Sequence, residues 1–139
     1  MLFQLDETQE MFRSACSQFA DEQLAPNAGA WDQGHIYPKD AVAAMAELGM
    51  MGVAIGERDG GTGADHLTYA IAIEEISRGC ASCGVIMSVN NSLYCDPVSR
   101  YCSEAQKDRW LRPYASGDKL GAFALTEPGN GSDAAGMRT

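Results

Sequence analysis

The chain has 139 residues, 45% of them hydrophobic, enough for one domain with a real core and too few for two comfortable ones. Its formal net charge of -9, with ten basic residues scattered along the chain, excludes the concentrated basic surface that a nucleic-acid partner needs. No run approaches the ~18 to 20 apolar residues of a membrane span, and the opening MLFQLDETQE turns acidic without the basic flank of an export signal.

A soluble intracellular protein is therefore expected, and five cysteines with no regular framework fit a reducing compartment. The chain opens on helices. Asp6 followed by Gln9 resembles a capping box, and Met11, Phe12, Cys16, Phe19 and Leu24 recur at helical spacing, which predicts a first helix over 7–24, stopped by Pro26. Residues 27–38 read as a connector. A second, shorter helix carries Val42, Met45 and Leu48, with Asp40 as its cap and Gly49 as its end.

MGVAIGERDGGTGAD, residues 51–65, is a glycine-rich loop. From His66 the pattern Leu67, Ala70, Ile71, Ile73, Ile76 predicts a helix buried on more than one face, closed by Arg78 and Gly79. Residues 80–98 predict another buried helix with Val85, Ile86, Val89 and Leu93 on its inner side. A short amphipathic helix follows from Ser103 and Glu104 to about Tyr114. After the Ser116-Gly117-Asp118 turn, residues 119–126 are short and apolar without helical spacing and are read as a strand. One apolar strand with nothing to pair with marks the threshold of a second, sheet-containing domain.

Three stretches invite chemistry. Gly129-x-Gly131-x-x-Ala134 has the spacing of a dinucleotide fingerprint, yet that motif opens a long helix and places an acid about 20 residues further on. Here only three residues follow Gly136, and Glu127-Pro128 separates strand from glycines. The stretch still offers close backbone N–H groups and the Ser132 hydroxyl to an anion; a plain glycine-rich surface loop is the alternative. Cys80 and Cys83, with Cys95, Cys102, His35 and His66, match no usual zinc spacing, and buried structural thiols are the expected reading. Asp21-Glu22 and Glu74-Glu75 are adjacent on helices and point to different faces, so they are read as surface or helix-pairing charges.

The segment ALTEPGNGSD, residues 124–133, resembles the signature of the acyl-CoA dehydrogenases, flavoenzymes that convert a saturated acyl-CoA thioester to the trans-2-enoyl-CoA. LDETQEMF, ELGMMGVAIGERDGGTGADHLTYAIAIEEISRGCAS and VIMSVNNSLY also resemble the family's N-terminal region in order, and GCASCGVIMSVNNSLYC is similar to its short-chain, butyryl-CoA branch. The resemblance implies an all-α N-terminal domain over 1–117 and the start of a middle β-domain over 118–139. It implies FAD as cofactor, held along Phe123, Ala124, Leu125, Thr126, Glu127, Pro128, Gly129, Asn130, Gly131 and Ser132, with Thr126 near the flavin ring. Ser132 would also approach the thioester, and Ile86, Met87 and Asn90 would lie near the closed end of the acyl pocket. Ordinary core packing is the alternative for Ile86 and Met87.

The same resemblance implies a homotetramer that passes electrons to an electron-transfer flavoprotein, in a bacterial cytoplasm or, after processing, a mitochondrial matrix. The family's catalytic base, a glutamate, is expected in a C-terminal helical domain beyond this chain, so no catalytic residue is assigned and Glu127 is not put in that role. Little or no dehydrogenase activity is expected of the 139 residues alone. The rival reading is a truncated, non-catalytic helical module that binds partners or assembles with family subunits.

Overall fold

The computed structural model describes residues 4–139; Met1 to Phe3, part of the opening stretch and of the 1–117 domain read above, lie outside it. Helix α1 (Glu7–Phe19) begins on the expected capping box: the Gln9 N–H donates to Asp6 Oδ1 (2.8 Å) and the Asp6 N–H to Gln9 Oε1 (3.1 Å). The Gln9 side chain also reaches across to Asp65 Oδ2 (3.1 Å), the N-cap of a later helix, so two helix starts are tied together.

Pro26 does not end the helix. A π-helical turn, Ala20–Leu24, follows α1 directly, and helix α2 (Ala25–Gly34) starts with the proline in its first turn. A proline clashes with the carbonyl one turn before it and lacks an N–H; a widened turn at that point removes both conflicts. The expected connector over 27–38 therefore shrinks to His35–Pro38, with His35 left-handed (φ 51°) as the cap of α2. Helix α3 (Lys39–Glu47) follows and is closed by Gly49 at φ 73°; its N-cap is Pro38, with Asp40 in the first turn.

The 51–65 loop is irregular but tightly knit. Short 3-10 turns at Met50–Gly52 and Glu57–Asp59 are joined by bonds such as Thr62 N–H to the Gly52 carbonyl (3.0 Å) and Thr62 Oγ1–H to the Val53 carbonyl (2.8 Å). Helix α4 (His66–Gly79) is capped by Asp65, whose carboxylate accepts from the Thr68 N–H and hydroxyl, both at 2.7 Å. The Thr68 hydroxyl and N–H hold the Asp65 carboxyl below the usual range.

The expected helix over 80–98 is two helices, α5 (Ala81–Ser88) and α6 (Asp96–Tyr101), joined by a π-helical turn over Val89–Cys95. Its inner face also differs from expectation. Val85 (61% exposed) and Leu93 (43% exposed) face outward, Ile86 and Val89 are half-buried, and Cys83, Met87, Asn90, Asn91 and Cys95 face the interior. The extra residue of the π turn shifts the helical phase beyond Val89 and turns Leu93 outward, whereas Val85 lies before it, on the face of α5 away from Cys83 and Met87; the two asparagines go inside because backbone groups there need partners.

Helices α7 (Glu104–Trp110) and α8 (Arg112–Ala115) close the bundle, α7 on a Ser103/Gln106 capping box. α1 packs on α4, and α4 on α5, around Cys16, Phe19, Leu24, Met45, Met51, Ile76 and Met87. A smaller cluster of Ile55, Cys95, Leu111 and Ala115 lies under Tyr94 and Tyr114. The all-α architecture is as expected, but the terminal strand is not formed: residues 120–126 carry no regular structure and form no ladder, and the described residues contain only an isolated bridge between Glu127 and Asn130. A strand needs a neighbour to satisfy its backbone, and none of the described elements supplies one.

Candidate functional site

The segment that leaves α8 is fixed at its root. The Lys119 N–H donates to the Pro113 carbonyl (2.8 Å), and the Gly121 N–H donates to Asn90 Oδ1 (2.8 Å). Gly121 lies so close over Tyr94 that a Cβ there would meet the ring at 2.1 Å, and Tyr94 in turn packs on Tyr114 with ring centroids 4.4 Å apart.

Beyond Gly121 the chain is an open strip. Phe123 and Leu125 are exposed, as is Thr126, and among the described residues no backbone N–H from Ala122 to Thr126 donates a hydrogen bond. Glu127 and Asn130 then exchange backbone bonds (2.9 and 3.0 Å) across a tight Pro128-Gly129 turn, the pairing of residues that such a turn favours. Gly131 and Ser132 continue into a single 3-10 turn, Ala134–Gly136. The glycines thus sit in and after a reverse turn rather than at the head of a long helix, and the dinucleotide-fingerprint geometry is absent.

The Glu127 carboxylate accepts from the N–H groups of Arg138 (3.0 Å) and Thr139 (2.9 Å), and Thr139 followed by these backbone donors holds its carboxyl below the usual range. A residue that removes a proton from carbon gains from a raised pKa, so this environment opposes the role of catalytic base.

The residues expected near an acyl chain separate. Ile86 is half-buried and borders a groove of about 510 Å³ together with Trp31, Ile36, Tyr37 and Val85. Met87 is fully buried in the main core. Asn90 is fully buried too, its Nδ2 donating to the carbonyls of Met51 (2.8 Å) and Tyr114 (2.9 Å). Asn91, which sequence reasoning passed over, is equally committed: Nδ2 donates to Met50 O (2.8 Å) and Met87 O (2.9 Å), and Oδ1 accepts from Val53 N–H (2.7 Å). The signal for it was there, since an Asn-Asn pair within an apolar helical run asks for buried partners.

The thiols behave as core groups. Burial pushes Cys16 up to about 11 and Cys95 up to about 12, and burial followed by a hydrogen bond with Cys80 pushes Cys83 up to about 12. All five cysteines are free, and the described residues contain no cluster of three or more His, Cys, Asp or Glu that could hold a metal. No described helix is long and apolar enough to cross a membrane.

Residues 6–118 match the family model for the acyl-CoA dehydrogenase N-terminal domain. The chain belongs to the acyl-CoA dehydrogenase family. It is 51% identical over 136 residues to the mitochondrial short-chain specific acyl-CoA dehydrogenase of Rattus norvegicus, covering 98% of this chain and 33% of that one. The fold superposes on butyryl-CoA dehydrogenase from Megasphaera elsdenii with a TM-score of 0.92 at 37% identity, over 100% of this chain and 37% of the other. It also matches a glutaryl-CoA dehydrogenase from Mycobacterium smegmatis solved in complex with FADH2, with a TM-score of 0.89 at 35% identity over 97% of this chain and 35% of that one. The chain spans about a third of the length of the acyl-CoA dehydrogenases it matches.

Proposed function

We propose that this chain is the N-terminal portion of an FAD-dependent, short-chain acyl-CoA dehydrogenase that oxidises an acyl-CoA thioester to its trans-2-enoyl form. The observation that carries the reading is the match of residues 6–118 to the acyl-CoA dehydrogenase N-terminal domain together with the likeness of the whole chain to short-chain and butyryl-CoA dehydrogenases; the exposed strip over 122–126 and the Pro128-Gly129 turn are where a cofactor would lie. An elongated ligand rich in acceptors fits such a strip, and a flavin nucleotide is one. The short-chain specificity of the rat relative and the butyryl-CoA substrate in the name of the M. elsdenii enzyme support the acyl length.

Bound FAD would supply the acceptor for the substrate's β-hydride. Residues of this chain then have distinct tasks. Residues Phe123 to Ser132 cradle the cofactor; Thr126 offers a hydroxyl to the pyrimidine edge of the ring, where negative charge grows on reduction, and Ser132 offers one to the phosphates and the thioester. Ile86, which alone of Ile86, Met87 and Asn90 has surface to offer, forms part of the acyl wall, and Met87 backs it from the core. Proton abstraction belongs to a carboxylate outside these residues. We further assign residues 1–117 to the helical domain and 118–139 to the entry of a β-domain, with homotetramer assembly and electron transfer to an electron-transfer flavoprotein.

The test is a dye-coupled oxidation assay of the natural gene product with acyl-CoA thioesters of increasing length. Highest kcat/KM at four carbons supports the reading; no turnover with any acyl-CoA, by a protein that retains flavin, overturns it. The isolated 139 residues are expected to show little or no turnover, and butyryl-CoA oxidation by them would contradict the placement of the base.

A further inference from the structure

We infer that Asn90 is a positioning residue for the flavin-facing segment; this rests on the proposal that residues 123–132 hold FAD. The two buried asparagines of the π turn do different work. Asn91 joins interior elements to one another, through Val53, Met50 and Met87. Asn90 uses its amide nitrogen in the same way, on the carbonyls of Met51 and Tyr114, and these two bonds fix the orientation of the amide plane. Its Oδ1 is thereby aimed outward at a single target, the Gly121 N–H at 2.8 Å.

That contact is the last hydrogen bond between the helical body and the segment before Glu127, among the described residues. The close seat of Gly121 on the Tyr94 ring completes the clamp. Phe123 begins two residues further on, so Gly121 is the last point at which the described helical body holds the strip. An extended chain advances ~3.3 Å per residue, so a small rotation at the root displaces Thr126, five residues on, by several ångströms. Positioning groups tolerate far less than that.

The experiment compares Asn90→Ala with Asn91→Ala in the full natural gene product, using amide exchange at Gly121 to Thr126, FAD affinity by flavin fluorescence and thermal unfolding. Both variants lose stability. Only Asn90→Ala is expected to speed exchange at the Gly121 amide, by about tenfold or more, and to weaken FAD binding about tenfold beyond the Asn91→Ala effect. Equal exchange in the two variants, or FAD affinity that follows the unfolding temperature alone, overturns the inference. Gly121→Ala provides a second route should Asn90→Ala fail to fold, because it lifts the segment off Tyr94 and leaves the interior amide bonds in place; unchanged FAD affinity in that variant also overturns it. A wild-type product that binds no FAD would instead overturn the functional reading, a result separable from the exchange data.

Discussion

Replacing Asn91 by alanine removes one amide and the three buried hydrogen bonds it makes, to the Val53 N–H and to the carbonyls of Met50 and Met87. An unpaired buried polar group costs ~1 to 3 kcal/mol, and water entering the vacated space recovers part of that, which leaves a net loss of about 3 to 5 kcal/mol. A domain of this length has a total stability of roughly 7 to 20 kcal/mol, so the loss is a substantial fraction of it. At about 3 °C per kcal/mol, the midpoint falls by roughly 10 to 15 °C. Asn91→Asp, with the same shape but no donors and a charge in the core, should be at least as damaging. Urea unfolding checks the figure, provided the m value stays constant so that the change is one of native stability. A loss below about 1 kcal/mol, the range of an exposed polar side chain, would refute the claim that this amide holds the 50–53 turn to the helix.

Four further outcomes are expected. Met87→Ala, which hollows the main core at a fully buried site, should cost about 2 to 5 kcal/mol in the same unfolding assay. Ile86→Ala should shift kcat/KM toward longer acyl chains by about tenfold with little loss of stability, because a methylene misfit is worth ~1 to 3 kcal/mol; unchanged chain-length preference would remove Ile86 from the acyl wall. The buried thiols of Cys16, Cys83 and Cys95 have folded pKa values raised to about 11, 12 and 12, above their ordinary value. Their stabilising effect is therefore complete below about pH 9 and is lost as pH rises through those values, so the unfolding midpoint should drop steadily above pH 9. Alkylation at pH 8 should accordingly reach Cys80 and Cys102, the partly exposed pair, before the other three.

The helices written in local chemistry were legible in part. The Asp6/Gln9 cap, the helix start at Glu104, the Gly49 stop and the helix from His66 to Gly79 follow from neighbouring residues, whereas the single helix expected from Glu104 to about Tyr114 is broken at Leu111 into α7 and α8. Pro26 misled because its cost depends on the turn before it, and the π turn at Ala20–Leu24 is a consequence of packing that no local pattern records. The phase of the 81–101 run was lost at two places: Val85, chosen for its hydrophobicity, faces away from the buried Cys83 and Met87 of its own helix, and beyond Val89 a fixed period of 3.6 cannot follow the π turn, so Leu93 was placed inside where Asn90, Asn91 and Cys95 are.

The strand over 119–126 shows the opposite limit. Its composition suits a sheet, but strand formation is settled between segments, and among the described residues the strip remains unpaired. In the candidate site, the Glu127 to Ser132 turn and its departure from a dinucleotide fold were readable from Pro128 and the glycine spacing. The clamp on Gly121 was not, because it joins residues 31 positions apart through a side chain that the family resemblance placed near the acyl pocket.

The most direct test of the central claim is the visible spectrum of the purified natural gene product before and after anaerobic addition of butyryl-CoA. A flavin band near ~450 nm that bleaches on addition is the expected result. A product with no flavin band, or a band that butyryl-CoA leaves unchanged, would contradict the assignment of this chain to a short-chain acyl-CoA dehydrogenase.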